Sequence, residues 1–409
     1  MTPYEFAIEI VKRLQAAGFQ ALFAGGCVRD ELMGKPPKDY DVATNARPDE
    51  VRQLFGVQRT LAIGASFGVI SVLGPKSAGQ IDVATFRRDL GYSDGRHPDA
   101  IAFADAREDA QRRDFTINGL FFDPIAQQVL DFVGGKADLE ERVVRAIGDP
   151  HQRIDEDKLR MLRAVRFAAT LNFEIDEQTK AAVREHAAEI KIVSGERIGA
   201  EMRRMLTHAT RHVAARLLVE CDLLQNIVAG GERETSNRAN WRSRLKWLEE
   251  LGEKTRFETA LVLLLAQTIK EEGIEPVAEQ WKLSAAERKS CEWIHDHWLT
   301  LTRAAHLPWS QIQPLLIHAD AEAALQIAET TMGPLHVGVE FCRKRLSWPK
   351  EKLDPPAFLN GSDLQALGLT PGPVFAKILS QIRDEQLDGL LNSRADAEKK
   401  ALELAGQIP

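Results

Sequence analysis

The feature that most constrains the fold of this 409-residue chain is a change of pattern near residues 145–152. Before it, short β-branched or apolar runs bounded by turn residues predict strands at residues 21–24, 41–44, 68–73, 81–86 and 121–123. After it, long stretches follow the helical period, and all seven tryptophans occur there. The sequence therefore predicts an α+β fold class, in which a head with a mixed or antiparallel sheet and helices precedes an all-α remainder.

Composition narrows the class of protein. Four cysteines, far apart in the sequence, are too few for a disulfide framework or a cysteine-rich zinc module, which favours reduced thiols and a cytoplasmic location. The longest apolar run, residues 260–266, is about a third of the roughly 20 residues that a membrane span needs, so no membrane association is expected. The net charge of −7 argues against a protein that binds nucleic acid over its whole surface, although local basic patches are compatible with it.

Two carboxylates, Asp39 and Asp41, stand two residues apart where a strand is expected. Side chains at i and i+2 share one face of a strand, so we expect these two to converge. Carboxylates held that close repel each other unless a hard cation lies between them, and their oxygen atoms suit Mg²⁺ bound together with the phosphates of a nucleotide. Asp82, a charged residue between apolar neighbours, is a candidate third carboxylate of a two-metal site. An acidic surface turn is the alternative for the isolated pair.

A glycine pair, Gly25 and Gly26, follows the first predicted strand, and Arg29 comes three residues later. Because glycine lacks a side chain, the backbone amides of such a turn can approach a phosphate, and Arg29 adds a full positive charge. Taken alone, the pair indicates a tight turn more often than a phosphate site.

These residues belong to a series of motifs that resembles the class II tRNA nucleotidyltransferases (CCA-adding enzymes) and bacterial poly(A) polymerases of the polymerase-β-like superfamily. In chain order the motifs are GGCVRD at residues 25–30, DYD at 39–41, Asp82, RRDFTIN at 112–118, DFVGG at 131–135, RAIGDP at 145–150 and EDKLRMLRAVRF at 156–167. Gly119 stands where the family usually has alanine, and Asp82 where many relatives have glutamate. The resemblance covers residues 20–170, about a third of the chain.

The resemblance implies a polymerase-β-like nucleotidyltransferase head and a role for each site residue. Asp39, Asp41 and Asp82 are the expected catalytic residues, with Asp39 and Asp41 as ligands of Mg²⁺. The expected nucleotide-binding residues are Gly25, Gly26, Arg29, Arg113, Asp114, Asp157, Arg160, Arg163 and Arg166.

Physical chemistry explains how the last motif would select a base. If residues 156–167 form one helix, Asp157 and Arg160 lie one turn apart and face the same way. An accepting carboxylate beside a donating guanidinium is complementary to the Watson–Crick edges of cytosine and adenine, in which an exocyclic amine lies beside ring acceptors. Uracil and guanine place a carbonyl where that amine would be. The alternative is an amphipathic helix with a solvated row of arginines.

Breaks in the pattern and the resemblance together predict four domains. These are a catalytic head at residues 1–145, a helical neck with the nucleotide-selecting helix at 146–210, a helical body at 211–352 and a tRNA-binding helical tail at 353–409. Residues 194–202 look like the family's last shared element and predict a helix that braces the nucleotide-selecting helix. The glycine-rich loop 89–98 resembles a loop that family members need to add the terminal A, and residues 359–373 resemble a segment of tRNA nucleotidyltransferase tails.

Three further features leave alternatives open. Two basic clusters, at residues 238–246 and at 343–345 with Lys350 and Lys352, fit either tRNA phosphates or solvated helical faces. The sequence His295-Asp296-His297 contains a pair found in metal phosphohydrolases, but without recognisable further ligands we expect a surface pair on a helix.

The resulting hypothesis is a template-independent tRNA nucleotidyltransferase. Such an enzyme adds CCA, or its terminal A, to the 3′ end of tRNA from CTP and ATP and releases pyrophosphate by two-metal phosphoryl transfer. Its partners would be tRNA, ATP and CTP, and the sequence implies no protein partner. An A-adding enzyme and a poly(A) polymerase remain alternatives, because both activities use the same aspartate–arginine pair. A non-catalytic RNA-binding protein is disfavoured, since all three carboxylates are present.

Overall fold

The computed structural model describes residues 1–62, 64–91 and 100–407, which belong to two compact units, Met1–Ala229 and Gly230–Pro409. The division between the units falls at the Gly230-Gly231 pair. Most of the loop expected at residues 89–98 lies outside the described residues. Across the described ranges, no helix is both long and apolar enough to cross a membrane.

The first unit is built on a mixed sheet. The strands of this unit are β1 (Ala21–Ala24), β2 (Asp41–Thr44), β3 (Thr60–Leu61), β4 (Val69–Leu73), β5 (Gln80–Thr85), β6 (Arg87–Leu90), β7 (Ala100–Phe103), β8 (Leu120–Asp123), β9 (Gln128–Asp131), β10 (Val143–Val144) and β11 (Glu174–Ile175). Within the described part of the chain, seven of them form one sheet in the order β3-β4-β5-β2-β1-β8-β9. Its pairings are antiparallel except that of β2 with β5, which is parallel. β6 pairs with β7, and β10 with β11.

Helices surround this sheet and continue beyond it. They are α1 (Pro3–Ala16), α2 (Gly26–Leu32), α3 (Pro48–Phe55), α4 (Ala106–Gln111), α5 (Gly135–Glu141), α6 (Pro150–Glu156), α7 (Arg160–Leu171), α8 (Glu177–Glu185), α9 (Gly195–Leu206), α10 (Arg211–Glu220) and α11 (Leu224–Ile227). A capping box between Thr2 and Glu5, with Pro3 at the first helical position, fixes the start of α1.

The central strand β1 is buried along its whole length. Ala21 and Phe23 pack into one apolar core together with α1, whereas Leu22 and Ala24 pack into another with α4. Alternate side chains of a strand point to opposite faces, so both faces of the sheet are covered at β1. This explains why β1 is a continuous apolar run and does not alternate with polar residues.

The single helix expected over residues 156–167 is interrupted in the structure. α6 ends at Glu156, α7 begins at Arg160, and Asp157 between them has extended backbone angles (φ −154°, ψ 104°). The Asp157 carboxylate accepts a hydrogen bond from the backbone N–H of Leu159 at 3.1 Å. An aspartate that bonds the backbone two residues on competes with the helical hydrogen bonds. The expectation that Asp157 and Arg160 lie one turn apart on one helix is therefore wrong.

The second unit is helical throughout its described secondary structure. Its helices are α12 (Arg233–Ser236), α13 (Arg238–Glu250), α14 (Phe257–Leu264), α15 (Ala266–Glu272), α16 (Glu275–Gln280), α17 (Ala285–Thr302), α18 (Trp309–Leu316), α19 (Ala321–Met332), α20 (Val337–Leu346), α21 (Lys350–Leu353), α22 (Gly361–Ala366), α23 (Pro373–Leu387) and α24 (Arg394–Gln407). Leu364, Ile378 and Ala401 bring α22, α23 and α24 into an apolar cluster of their own. The predicted α+β class, with strands early and helices late, is confirmed. Among the strands that the structure describes, only β11, which pairs with β10, lies beyond the predicted change of pattern.

Candidate active site

Two adjacent parallel strands bring two of the predicted carboxylates together. Asp41 of β2 and Asp82 of β5 are direct partners in the strand register. Neighbouring strands lie about 4.8 Å apart, and register partners point to the same face, so one ion can reach both carboxyl groups. Ser71 of β4 donates a hydrogen bond to Asp82 at 2.5 Å, which fixes the orientation of that carboxylate.

Asp39 reaches the same region from outside the strand. β2 begins at Asp41, so Asp39 lies in the preceding bend, and the expectation that the two share a strand face is wrong. Between them, the ring of Tyr40 packs 5.4 Å from that of Tyr4 and 5.5 Å from that of Phe23. The tyrosine anchors the bend to the core, and its two acidic neighbours both line one cavity.

The charge of Asp41 is unfavourable in the ligand-free protein. Burial raises the pKa of Asp41 above its ordinary value, and the charge of Asp82 raises it further, with a smaller contribution from Asp39; the charge of Arg113 acts in the opposite direction. Asp41 lies in the wall of a concave pocket, whose surrounding atoms reduce its hydration although the residue still reaches solvent. Three converging carboxylates whose charges oppose one another are the oxygen donor set that a hard divalent cation such as Mg²⁺ fits.

The glycine pair makes room for an arginine. Gly25 has φ +73°, a conformation that other residues rarely adopt. A Cβ atom at this position would lie 2.8 Å from Nη1 of Arg113. Glycine is thus required at residue 25 both by the backbone conformation and by the close approach of the guanidinium.

Two arginines beside the glycine pair are fixed by neighbouring side chains. Arg29 donates to Asn118 at 2.7 Å and to Asp30 at 2.7 and 2.8 Å. Arg113 donates through Nε and Nη2 to one oxygen of Asp109, at 3.2 and 3.0 Å. A guanidinium already held in place loses less conformational freedom when it binds a phosphate.

Asp114 and Arg163 form a buried ion pair. Nε and Nη2 of Arg163 donate to one oxygen of Asp114 at 2.8 and 2.5 Å. The other oxygen accepts from the Asn118 side chain at 3.1 Å and from the Phe115 backbone at 2.8 Å. Burial alone would raise the pKa of Asp114, but the charge of Arg163 and these hydrogen bonds lower it to about 2. The carboxylate is therefore ionised at neutral pH and holds Arg163 in place.

Asp157 and Arg160 reach the cavity from either side of the helix break. Arg197 of α9 donates to both oxygens of Asp157, at 3.0 and 2.7 Å. Arg160 donates to the Glu156 carboxylate at 2.5 Å and to the backbone carbonyl of Arg153 at 2.7 Å. The two side chains are thus positioned by different partners, although both line the same cavity.

These side chains surround one cavity of about 660 Å³. The lining residues described are Gly25, Gly26, Arg29, Asp39, Asp41, Arg112, Arg113, Asp114, Asn118, Asp157, Arg160, Arg163, Phe167 and Arg204. Asp82 lines a neighbouring cavity of about 490 Å³, and Asp39 and Asp41 line both. Arg166 pairs instead with Glu201 and stacks on the ring of Phe167 at 4.0 Å. All the predicted site residues except Asp82 and Arg166 therefore line the larger cavity.

Sequence reasoning missed four of the polar residues at this site. Arg112 and Asn118 lie in the RRDFTIN motif, so a closer reading of that motif could have named them. Arg197 contacts Asp157, which lies 40 positions earlier in the sequence. Arg204 lies about two turns further along α9. Nothing in the local pattern of α9 distinguishes these two from solvated arginines.

The His-Asp-His sequence belongs to no close group of potential metal ligands within the described ranges. His297 of α17 donates to the backbone carbonyl of Trp293 at 2.7 Å, and the two rings stack 4.5 Å apart. Among the described residues, the group of potential metal ligands that lies close together is Asp155, His186 and Glu189. The ammonium of Lys158 hydrogen-bonds both of its carboxylates, so this group already contains a cation.

Comparisons with known proteins identify the family that the chain resembles. The family described as "Poly A polymerase head domain" matches residues 21–145, and that described as "Probable RNA and SrmB- binding site of polymerase A" matches residues 172–231. The CCA-adding enzyme of Lacticaseibacillus paracasei is 31% identical over 99% of this chain and 96% of its own length. That of Enterococcus faecalis is 31% identical over 96% of this chain and 95% of its own.

Solved structures give the same result over the whole fold. The crystal structure of the Bacillus stearothermophilus CCA-adding enzyme in complex with CTP superposes with a TM-score of 0.81 at 25% identity and covers 100% of both chains. The Thermotoga maritima CCA-adding enzyme complexed with tRNA has the same fold, with a TM-score of 0.69 at 21% identity over 98% of this chain and 94% of its own. Similarity of this extent to relatives that match nearly the whole chain shows that it belongs to the family of the CCA-adding enzymes, which are nucleotidyltransferases.

Proposed function

We propose that this protein adds CCA to the 3′ end of tRNA from CTP and ATP and releases pyrophosphate. The observation that carries the proposal is the cavity that Asp39 and Asp41 line together with a set of arginines. The carboxylates suit metal ions, and the arginines suit the phosphates of a nucleotide. The relatives that match nearly the whole chain are CCA-adding enzymes, which favours CCA addition over the synthesis of poly(A).

We propose that Asp39 and Asp41 hold Mg²⁺, with Asp82 completing the site. The residues present fit the ion, because two of the carboxylates are register partners, and burial together with the charge of Asp82 raises the pKa of Asp41. When bound, magnesium supplies positive charge that lowers the pKa of the attacking 3′ hydroxyl and neutralises the triphosphate.

The chain's own cations orient the triphosphate. Arg29 and Arg113 are already fixed by carboxylate and amide partners and line the cavity beside Gly25 and Gly26. Their planar N–H forks suit bidentate contact with phosphate oxygens. Asp114 already accepts four hydrogen bonds, so it acts by holding Arg163 at the wall of the cavity.

Asp157 and Arg160 are the proposed readers of the base. Asp157 keeps part of its acceptor capacity, and three of the five N–H donors of Arg160 are engaged, with Glu156 and with the carbonyls of Arg153 and Arg112. The remaining groups offer an acceptor to an exocyclic amine and a donor to a ring nitrogen or carbonyl. Cytosine and adenine match this pair, whereas uracil and guanine present a carbonyl to the carboxylate.

The proposal also gives the protein a cellular setting. All four cysteines are buried free thiols, as expected for a protein of the reducing cytoplasm. We therefore propose a cytoplasmic location, the compartment in which ATP and CTP are available to it.

The experiment that tests the proposal supplies CTP and ATP separately. Purified protein is incubated with Mg²⁺ and radiolabelled tRNA that ends at the discriminator base, at C or at CC. We expect CTP to extend the first two ends and ATP to extend the third by one residue. An enzyme that leaves the first two ends unchanged adds A only. Long poly(A) on arbitrary RNA would replace the proposal by a poly(A) polymerase.

A further inference from the structure

The second basic cluster of the sequence surrounds a group of aromatic rings in the second unit. Trp309 begins α18, Phe341 lies on α20 and Trp348 follows α20. The ring centroid of Trp309 lies 6.4 Å from that of Phe341 and 5.6 Å from that of Trp348. All three rings are partly exposed, and we refer to them together as the aromatic platform.

Arg345 lies over this platform without a carboxylate partner. Its guanidinium carbon is 3.2 Å from the ring centroid of Phe341, 5.2 Å from that of Trp348 and 5.4 Å from that of Trp309. In the part of the chain that the structure describes, no carboxylate pairs with Arg345, and its buried Nε has no hydrogen-bond acceptor. The guanidinium is therefore held in place while its charge stays uncompensated.

An arginine held in this way is ready to bind an anion. Ring faces attract the charge of a guanidinium but leave most of its N–H groups free to donate to an acceptor. The planar N–H fork matches the spacing of two phosphate oxygens. Because the rings already restrict the side chain, less conformational freedom is lost on binding.

Further cations lie next to Arg345 in the sequence. Lys344, Lys350 and Lys352 are exposed, and Lys352 Nζ lies 4.2 Å from the ring centroid of Trp348. None of these lysines forms an ion pair within the described ranges. Residues 344–352 contain one carboxylate, Glu351. This segment is thus strongly positive in a chain whose net charge is −7.

Three other cations of the two basic clusters form ion pairs. Arg343, two residues from Arg345, pairs with Glu322 and Glu329 at 2.8 and 2.5 Å. In the first cluster, Arg244 pairs with a buried glutamate and Lys246 with a glutamate one turn along its helix. Within the described ranges, Arg238 and Arg242 of the first cluster are exposed and form no ion pair, so the second cluster differs from the first in holding an unpaired guanidinium on aromatic rings.

We propose that Arg345 on the aromatic platform binds a backbone phosphate of RNA, with Lys344, Lys350 and Lys352 contacting neighbouring phosphates. Repeated anions along one chain match several unpaired cations within one short segment, and partly exposed aromatic rings suit adjacent bases, a combination that RNA offers and an acidic peptide does not. The inference rests on the proposed function in taking tRNA as that RNA. It makes the region around α20 and α21 a contact for tRNA outside the catalytic cavity.

The test measures binding of tRNA ending in CC, without nucleotide, over a range of KCl concentrations. Arg345→Gln is compared with wild type and with Arg343→Gln, the matched control in which the lost arginine is already paired. We expect Arg345→Gln to raise the Kd about five- to tenfold, and the salt dependence to fall by about one unit of slope. Arg343→Gln should stay within about twofold of wild type. Arg345→Lys, which keeps the charge but loses the fork, should lie between them.

A kinetic measurement separates this contact from catalysis. Arg345→Gln should raise the KM for tRNA and leave kcat and the KM for ATP unchanged. An unchanged Kd and salt slope in Arg345→Gln would overturn the proposal. If that variant does not fold, the double variant Lys350→Gln/Lys352→Gln decides, with an expected fall in slope of about two.

Two comparisons exclude other anions and separate the two proposals. If polyglutamate competes with tRNA as effectively as RNA does, the site binds acidic peptide. If inorganic phosphate alone displaces tRNA, the site binds simple anions. Either result overturns the proposal. Binding through Arg345 without incorporation contradicts the proposed function only. Incorporation with binding that ignores Arg345 contradicts this inference only.

Discussion

Asp157 has about four acceptor positions, of which three are filled in the structure. Two accept from Arg197 and one from the Leu159 backbone. The remaining position belongs to a carboxylate that lines the cavity. A single acceptor of this kind suits one exocyclic N–H of cytosine or adenine and repels the carbonyl of uracil or guanine.

Asp157→Ala should therefore reduce both incorporation and selectivity. A lost hydrogen bond to a charged acceptor costs about 1.5–3 kcal/mol, so incorporation of the correct nucleotide should fall about ten- to a hundredfold. UTP lacks that hydrogen bond and should lose less, which shrinks the preference for CTP over UTP. Arg197→Met is the matched variant, since it removes the partner but keeps the carboxylate; it should lower the rate and still exclude UTP. Single-turnover incorporation of all four nucleotides measures this, and unchanged discrimination in Asp157→Ala would place selection elsewhere.

Asp114 should stabilise the first unit in a pH-dependent way. Its folded-state pKa of about 2 lies below the value of about 3.9 expected in the unfolded chain, so its contribution is complete above pH 4 and is lost as the pH falls towards 2. Asp114→Asn should lower the free energy of unfolding by about 2–3 kcal/mol at pH 7 and by less at pH 3. Urea unfolding followed by far-UV circular dichroism measures the difference. Tryptophan fluorescence is the internal control, because all seven tryptophans lie in the second unit. An equal loss at both pH values would contradict this assignment.

At the scale of elements, the break between α6 and α7 is held by a buried lysine. Lys158 follows Asp157 and is 6% exposed. Its ammonium donates a hydrogen bond to Asp155, near the end of α6, at 2.6 Å. It also contacts Glu189, which lies in the 3₁₀ helix Ala187–Ile192. The break is thus a fixed connection that sets where Asp157 points.

Lys158→Met should loosen this connection. Without the ammonium, Asp155 and Glu189 repel each other, so hydrogen exchange of residues 150–160 should speed up. Because Asp157 loses its fixed position, the KM for CTP and for ATP should rise about three- to tenfold. This rise corresponds to a loss of about 1 kcal/mol of binding free energy. Lys180→Met, which removes a more exposed pair with Glu220, is the control and should leave both unchanged. Unaltered exchange and KM in Lys158→Met would mean that the break holds its shape without this lysine.

The same elements show what the sequence could and could not predict. Strands β1, β2, β4, β5 and β8 are apolar and bounded by turn residues, and they lie where they were expected. The charged strand β6 and the two-residue strands β10 and β11 lack that pattern. They could not be predicted from local sequence, because their pairing depends on contacts with residues distant in the chain. The motifs predicted most of the cavity lining. The break at Asp157 was missed because residues 156–167 contain neither proline nor glycine, and the contact with Arg197 depends on tertiary packing.

At the scale of the whole molecule, the negative net charge and the local basic region near α20 predict the choice of primer. A chain with charge −7 repels RNA except where unpaired cations are concentrated. Extension of intact tRNA ending in CC should therefore be much more efficient than extension of unstructured oligoadenylate, measured as kcat/KM with ATP. The preference should decrease as KCl is raised, since phosphate contacts weaken with salt. Equal efficiency on both primers would favour a poly(A) polymerase.

The central claim is that a single cavity, lined by carboxylates and arginines, is the site of every nucleotide addition. The Asp41→Asn variant tests this claim most directly. Single-turnover incorporation is measured with Mg²⁺ for CTP on tRNA ending in C and for ATP on tRNA ending in CC, together with the affinity for each tRNA. Weakening the proposed metal site should remove several kcal/mol of transition-state stabilisation, so both rates should fall by about a thousandfold or more. The affinity for tRNA should stay within a few-fold of wild type. Near-normal incorporation of either nucleotide by Asp41→Asn would contradict the account.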